Sequence, residues 1–263
     1  AFLGKKMVFD LDDAIYIRNA SAANRPFGFL KYPSKIPQII KLSRYIIVCN
    51  SFLKTYAQQF IDEKKIEVIH TAVDTEKFIP WNEEKVMEKI VIGWIGSYST
   101  SVYLYQLIDI LQKLAKKYEF LLRIVGAGRR IEIQGVKTEN VEWSLERDVK
   151  NFQSIDIGIY PLIDNEWIKG KTGFKTIQYM SVGKPCVVSN MGSNKEIVED
   201  GMNGFLANTD EEWIEKLSQL IENSELRHKM GIAGRRTVEE RYSVKINAPK
   251  ILSILKKVYY GQA

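Results

Sequence analysis

Two lysines flank a glycine at the point where a helix is predicted to begin. Lys171 and Lys175 lie on either side of Gly173, and the apolar pattern predicts a helix over Phe174–Val182. The free amide groups at a helix N-terminus favour an anion, and lysine is an adequate point-charge partner for phosphate. The segment therefore predicts a phosphate-binding site, with two solvated loop lysines as the alternative.

Glycine and hydroxyl residues follow two of the predicted strands. One turn comes after the strand Ile90–Ile95 and the other comes after Leu121–Val125. Glycine lets the backbone approach a phosphate closely, and a hydroxyl group can donate a hydrogen bond to it. Neither turn carries the full dinucleotide fingerprint or a Walker lysine, so a purely steric need for glycine is the alternative. The residues concerned are Gly96, Ser97, Thr100, Gly126 and Gly128.

Three carboxylates end the first predicted strand. Asp10, Asp12 and Asp13 follow a strand-like run over residues 5–9. Carboxylates attract hard cations, and a carboxylate at the edge of a cleft can also orient or deprotonate a hydroxyl group. Capping of a helix by one of these aspartates is the alternative that needs no ligand.

Strands and helices alternate along the whole chain. This alternation favours an α/β fold in which doubly wound parallel sheets are joined by right-handed crossovers. The first sheet is expected to be incomplete, because only three strands are predicted before the linker. The expected units are a partial N-terminal domain at residues 1–80, a linker at 81–89, a second domain at 90–241 and a terminal helix at 242–263.

Composition and charge limit the class of partner. The 263 residues carry a net charge of +6, which favours anionic partners such as nucleotides or acidic lipid head groups. The sequence lacks the platform of aromatic and basic residues that nucleic-acid binding needs. Cys49 and Cys186 lie in apolar strand-like runs and indicate buried thiols in a reducing compartment. No run approaches the roughly 20 apolar residues of a membrane span, so we expect a cytoplasmic protein, with peripheral contact at the inner membrane face left open.

The segment Gly170–Phe205 reads GKTGFKTIQYMSVGKPCVVSNMGSNKEIVEDGMNGF. It resembles the sugar-nucleotide half of the retaining GT-B glycosyltransferases of family 4, group 1, and the resemblance is strongest over Ile92–Tyr242. It implies two Rossmann-like domains, and transfer of a sugar with retention from a nucleoside diphosphate donor to a hydroxyl of a glycan or lipid-linked acceptor. In that family the terminal helix crosses back to the N-terminal domain; packing on its own domain is the alternative. Helix dipoles and basic side chains stabilise the departing diphosphate there, so no metal or other cofactor is expected.

The resemblance also implies roles for single residues. Asp12 is expected to act on the acceptor hydroxyl, while Lys171 and Lys175 neutralise the departing diphosphate together with the amide groups of their loop. The expected donor-binding residues are Gly96, Ser97, Thr100, Gly126, Gly128, Glu166, Gly173, Phe174 and Gln178.

The chain departs from the family pattern at two acids that normally frame this helix. Members usually have a Glu, seven residues and a second Glu, where this chain has Gly170 and Gln178. Gln178 can still bind a ribose diol. The first position has no acid, unless Glu166 reaches the same space. A non-catalytic module that binds a sugar nucleotide is therefore the alternative function.

The N-terminal part is short for this architecture. About 80 residues precede the second series of strands, whereas a complete domain needs roughly 100–150 residues. We therefore expect a shortened chain or a fragment, which can bind the donor and still fail to turn it over.

Overall fold

A computed structural model describes residues 6–18, 32–81 and 89–261, so most of the predicted linker lies outside the described residues. The N-terminal elements are β1 (Val8–Leu11), α1 (Ile36–Leu42), β2 (Tyr45–Val48), α2 (Ser51–Ala57) and β3 (Ile66–Val68). The three strands form a parallel sheet in the order β1-β2-β3. Every residue of the middle strand is apolar and buried, as expected of a parallel strand that is covered on both faces.

The second sheet has six strands, which are β4 (Ile90–Ile95), β5 (Phe120–Val125), β6 (Thr138–Val141), β7 (Ile157–Tyr160), β8 (Cys186–Ser189) and β9 (Phe205–Ala207). Their order is β6-β5-β4-β7-β8-β9, and every neighbouring pair is parallel. This arrangement confirms the predicted α/β fold with doubly wound parallel sheets.

Helices connect the strands of the second sheet and close the chain. They are α3 (Ile108–Ala115), α4 (Asp148–Gln153), α5 (Glu166–Lys169), α6 (Phe174–Ser181), α7 (Asn194–Ile197), α8 (Asp210–Glu222), α9 (Ser224–Thr237) and α10 (Val244–Tyr260). A 3-10 helix at Ser101–Leu107 leads into α3, and a short π-helix at Val238–Tyr242 follows α9. Thr209 caps α8, because its hydroxyl accepts from the Glu212 amide at 3.3 Å.

One strand lies earlier in the sequence than its apolar pattern suggests. The pattern predicts a strand over Val141–Trp143, but β6 ends at Val141. The ladder between β5 and β6 stops there because Val141 pairs with Val125, the last residue of β5. The predicted strand was therefore wrong in its bounds, because it was placed too late in the sequence. Trp143 lies beyond the carboxyl end of β6.

The second sheet reverses its direction of winding between β4 and β7. From β4 the chain moves outward through β5 and β6, then returns to β7 on the other side. The Tyr179 hydroxyl lies where these two strands part. It accepts from the Ile95 amide at 3.1 Å and lies 3.2 Å from the Gly93 carbonyl and 3.3 Å from the Ile159 carbonyl. Ligands of open α/β sheets bind in the crevice beyond such a switch point.

Replacing Tyr179 with phenylalanine is expected to destabilise the whole second domain. The side chain is fully buried, so the Ile95 amide would lose its partner without gaining water. An orphaned buried group costs about 1–3 kcal/mol, which urea unfolding can measure. Tyr118→Phe is the matched control, because its hydroxyl bonds to Glu222 at the surface. Equal losses from both substitutions would contradict the role of Tyr179 at the switch point.

Helix α10 packs against the N-terminal sheet. Its buried residues join side chains from β2 and from the segment that follows β3 in one apolar cluster. The chain also bridges the two parts at Val73, whose backbone pairs with Ser243. The two sheets are thus held together by apolar packing and by backbone bonds. The residues of the shared cluster are Tyr45, Ile47, Ile69, Ile254 and Val258.

Candidate functional site

A cavity of about 620 Å³ opens at the carboxyl ends of β4 and β7. This is the crevice beyond the switch point, where the sheet topology favours a ligand. The cavity is bordered by both parts of the molecule, since the end of β1 reaches it as well. Nine of the residues expected to act in catalysis or donor binding line it, namely Asp12, Gly96, Ser97, Thr100, Gly126, Lys171, Phe174, Lys175 and Gln178.

Lys175 brings a largely buried ammonium group into the cavity. Its Nζ donates to Gln178 Oε1 at 2.9 Å and lies 5.1 Å from the centre of the Phe152 ring. Burial lowers the pKa of Lys175, and the negative charge of Asp148 raises it by a smaller amount. Among the described residues Lys175 has no carboxylate within ion-pair distance. The cavity therefore holds a positive charge that an anionic ligand would balance.

Lys171 and the end of β1 also line the cavity. Burial raises the pKa of Asp13, the positive charge of Lys171 lowers it, and the negative charge of Asp12 raises it again. Burial also raises the pKa of Asp10, with a further contribution from Asp12. Asp12 itself is exposed and lines the cavity. Two carboxylates of the N-terminal part thus line the same cavity as two lysines of the second domain.

The two glycine turns meet at the rim of the cavity. Gly126 has φ +76°, and a side chain there would come within 2.5 Å of the Gly96 carbonyl oxygen. The neighbouring turn is closed by its own hydroxyls, because Thr100 Oγ1 accepts from the Ser97 amide at 2.9 Å. Ser97 Oγ lies 3.2 Å from the same atom. Glycine is therefore required here for close packing of two turns, and the hydroxyls hold the turn that borders the cavity.

Three predicted site residues lie outside the cavity. Gly128 has φ +66° and packs against Tyr98, next to a separate depression. Gly173 has φ +66° and precedes the first residue of α6, where a side chain would meet Ile197 at 2.6 Å. Glu166 is exposed and forms an ion pair with Lys169 at 2.7 Å, so it does not occupy the space beside Gly170. The two glycines are thus explained by their positive φ angles and by close packing, without a ligand.

Arg129 is held away from the cavity by aromatic side chains. Its guanidinium lies 5.3 Å from the ring centres of both Tyr98 and Tyr105. It also donates to Ser101 Oγ at 2.9 Å. These contacts fix Arg129 outside the wall that carries the two lysines, which leaves Lys171 and Lys175 as the cavity's basic side chains in the described part of the chain.

Aromatic residues complete the site, and two of them, Trp143 and Tyr103, were not singled out from the sequence. Trp143 is 48% exposed at the rim, and its indole nitrogen donates to Asp148 at 2.9 Å. Tyr103 and Tyr160 also line the cavity, and burial raises the pKa of both hydroxyls. Trp143 was missed because it was placed inside a strand. The signal that could have found it is an aromatic residue just beyond a strand's carboxyl end.

No group of three His, Cys, Asp or Glu residues in the described ranges has the geometry to hold a metal ion.

Two of the relatives that the chain resembles are archaeal proteins. The chain is 23% identical over 277 aligned positions to an uncharacterized glycosyltransferase of Methanocaldococcus jannaschii, covering 98% of this chain and 69% of that protein. A second such protein of the same organism is 26% identical, covering 94% of this chain and 65% of its length. The chain thus spans about two thirds of the length of these relatives.

Solved structures share the fold. A glycosyltransferase from Rickettsia africae ESF-5 superimposes with a TM-score of 0.70 at 19% identity, covering 92% of this chain and 69% of that one. Anabaena HepE, solved in complex with UDP and glucose, gives a TM-score of 0.68 at 17% identity, covering 95% and 71%. The family model described as glycosyl transferases group 1 matches residues 75–237, which is more than half of the chain. The protein therefore belongs to the group 1 glycosyltransferases.

Proposed function

We propose that the chain binds a nucleoside diphosphate sugar in the cavity at the switch point and transfers the sugar to an acceptor hydroxyl. Residues 90–241 supply the donor side, and residues 1–80 supply the acceptor side. Transfer with retention of configuration is part of the proposal and is supported by the resemblance to retaining enzymes of this family.

The observation that carries this proposal is the buried ammonium group of Lys175. A buried charge without a counter-ion is costly, so a site that retains one is suited to an anionic ligand. The diphosphate of a donor would offset that cost, and Lys171, which lines the same cavity, would balance the second negative charge. Phosphate oxygens accept strong charge-assisted hydrogen bonds from such groups.

The rest of the donor fits the rim of the cavity. Gln178 can donate an amide hydrogen to a ribose hydroxyl while its oxygen stays bonded to Lys175. The exposed face of Trp143 offers a surface on which a base can stack. Anabaena HepE and Staphylococcus aureus TarM were solved with UDP, which supports uracil as the first base to test.

The carboxylates at the end of β1 are suited to the acceptor. Asp12 faces the cavity from the N-terminal part, where a carboxylate can orient an acceptor hydroxyl or remove its proton. The acceptor is a glycan or a lipid-linked glycan in this proposal. A lipid-linked acceptor would be met at the membrane surface, and the described residues include no helix with the length and apolar character to cross a bilayer.

Calorimetric titration with UDP and GDP tests the donor site. Saturable binding is expected for one of them, with uridine binding much more weakly because it lacks the diphosphate. Lys171→Ala should weaken binding about tenfold, since a hydrogen bond to a charged group contributes about 1.5–3 kcal/mol. Lys116→Ala is the matched control, because that exposed lysine lies outside the cavity. Equal affinity in the wild type and Lys171→Ala would refute this use of the cavity.

A transfer assay separates the enzyme from a non-catalytic binding module, the alternative that Gly170 favours by lacking the family's first acid. The assay measures release of nucleoside diphosphate and a gain of sugar mass on a panel of glycan and lipid-linked acceptors. Product formation that is lost in Asp12→Asn supports the enzyme. Tight donor binding without product on the whole panel supports the binding module.

A further inference from the structure

The turn after β2 holds three consecutive carbonyl groups of the loop that carries Lys171. The Asn50 side-chain amide donates to the carbonyl oxygens of Lys169 at 3.1 Å and Lys171 at 3.3 Å. Between them, the Gly170 carbonyl accepts from the Cys49 thiol at 3.7 Å. Asn50 and Cys49 are 1% and 3% exposed, so water does not compete for these bonds.

The orientation of Asn50 is fixed by two further contacts. Its Oδ1 accepts from the Leu53 amide at 2.9 Å and so caps α2. With the oxygen engaged, the NH2 group must face the loop, where it also donates to Ser193 Oγ at 2.9 Å. Ser193 Oγ in turn donates to the Lys171 carbonyl. One side chain therefore starts a helix of the N-terminal part and holds a loop of the second sheet.

The same turn also contacts the strand end that carries the carboxylates. The Cys49 thiol lies 3.4 Å from the Asp12 carbonyl oxygen, and burial raises the pKa of Cys49 to about 12, which keeps it protonated as a donor. The positive charge of Lys171 in turn acts on Asp13. A shift of this turn would therefore move both the loop that carries Lys171 and the strand end that carries the carboxylates.

We propose that Asn50 is a positioning residue that sets the place of the Lys171 ammonium group and makes nucleotide binding depend on contact between the two parts of the chain. This inference rests on the proposed function, because it assigns Lys171 to a diphosphate. Asn50 does not line the cavity, so it acts on a ligand only through the loop that it holds.

Asn50→Asp tests the inference, because aspartate keeps the acceptor that caps α2 and loses the NH2 group. At about pH 8 a carboxylate would face the loop carbonyls and repel them, and UDP should bind about tenfold more weakly than to the wild type. Burial and repulsion raise the pKa of such a carboxyl group. At about pH 5.5 it should be protonated, donate to one carbonyl, and recover most of the affinity relative to the wild type at that pH.

Asn50→Ser separates positioning from capping. Serine is also a good cap but is too short to reach the loop, so its loss of affinity should be the same at both pH values. Asn223→Asp makes the identical change at the exposed cap of α9 and should bind UDP as the wild type does. Wild-type affinity in both Asn50 variants at about pH 8 would overturn the inference. So would an equal loss in Asn50→Asp at both pH values.

Amide hydrogen exchange of residues 166–173 without nucleotide gives a readout that does not depend on the donor. The loop should exchange faster in both Asn50 variants than in the wild type, while α9 stays protected. Unchanged exchange would contradict the inference even if affinity fell. A wild-type chain that binds no nucleotide, with faster loop exchange in the variants, would instead locate the failure in the proposed function.

Discussion

Replacing Lys175 with methionine is expected to weaken nucleoside diphosphate binding about tenfold to a hundredfold, the largest effect of any single side chain in the cavity. Methionine has a similar length and keeps the contact with the Phe152 ring, so the change removes mainly the charge. The loss should be larger than for Lys171→Ala, because the Lys175 ammonium group is largely buried and its charge is screened little. Calorimetry with UDP measures both.

The same substitution should stabilise the ligand-free protein by about 1 kcal/mol, since replacing a buried charge with an apolar side chain is often neutral or stabilising. The pH dependence of the wild-type stability follows from the pKa of Lys175, which burial lowers below its value of 10.5 in an unfolded chain. The unfolded state then holds the proton more tightly, so the stability of the wild type rises with pH between the two pKa values. Lys175→Met should lack this rise.

Ligand binding should show the opposite pH dependence. The charged form of Lys175 binds the diphosphate, so wild-type affinity should fall as pH rises through the lowered pKa, and affinity of Lys175→Met should not follow this fall. Lys116→Met controls for the loss of one positive charge at the surface. A Lys175→Met protein that binds UDP like the wild type, or that unfolds more easily without ligand, would show that this ammonium group does not serve an anion.

The residues that share the cavity could largely be predicted from the sequence because of a property of parallel sheets. Carboxyl ends of all the strands lie at one edge, so turns that follow different strands converge there. Gly96 follows β4, Gly126 follows β5, and Lys175 begins the helix after β7, and all three line one cavity. Local patterns sufficed here, because each residue had only to be assigned to a strand end.

The remaining features depend on contacts between segments that are far apart in the sequence. The Asn50 bonds to the loop need the packing of two sheets, which no local pattern encodes. Trp143 lies beyond the point where the ladder between β5 and β6 ends, and that point is set by the last residue of β5. Tertiary pairing, and not residue propensity, therefore placed Asn50 and Trp143. Glu166 is a local exception, because its ion pair with Lys169 joins positions i and i+3 of the short helix α5.

Steric crowding in the fold accounts for the lack of an acid at position 170. A side chain at Gly170 would place its Cβ 2.6 Å from the Ala14 Cβ and 3.0 Å from the Ala14 amide nitrogen. Gly170 is buried, and its φ of −80° suits any residue, so space and not backbone conformation requires glycine. The end of β1, with Asp12 and Asp13, takes the space that a longer side chain would need. The carboxylates of Asp12 and Asp13, which line this cavity, are therefore supplied by the N-terminal part of the chain.

Gly170→Ala is accordingly expected to destabilise the protein by about 1–3 kcal/mol, the usual cost of overpacking a buried site. It should also weaken UDP binding, because relief of the clash moves the end of β1 away from the loop that carries Lys171. Ala14→Gly removes the nearest atom, so the double variant should lose less stability than the sum of the two single changes, with a coupling of about 1 kcal/mol. Urea unfolding of all four proteins gives that coupling, and UDP titration shows whether affinity returns with it. Additive losses would mean that Ala14 and Gly170 are not in contact, and would contradict the steric account of the glycine at this position.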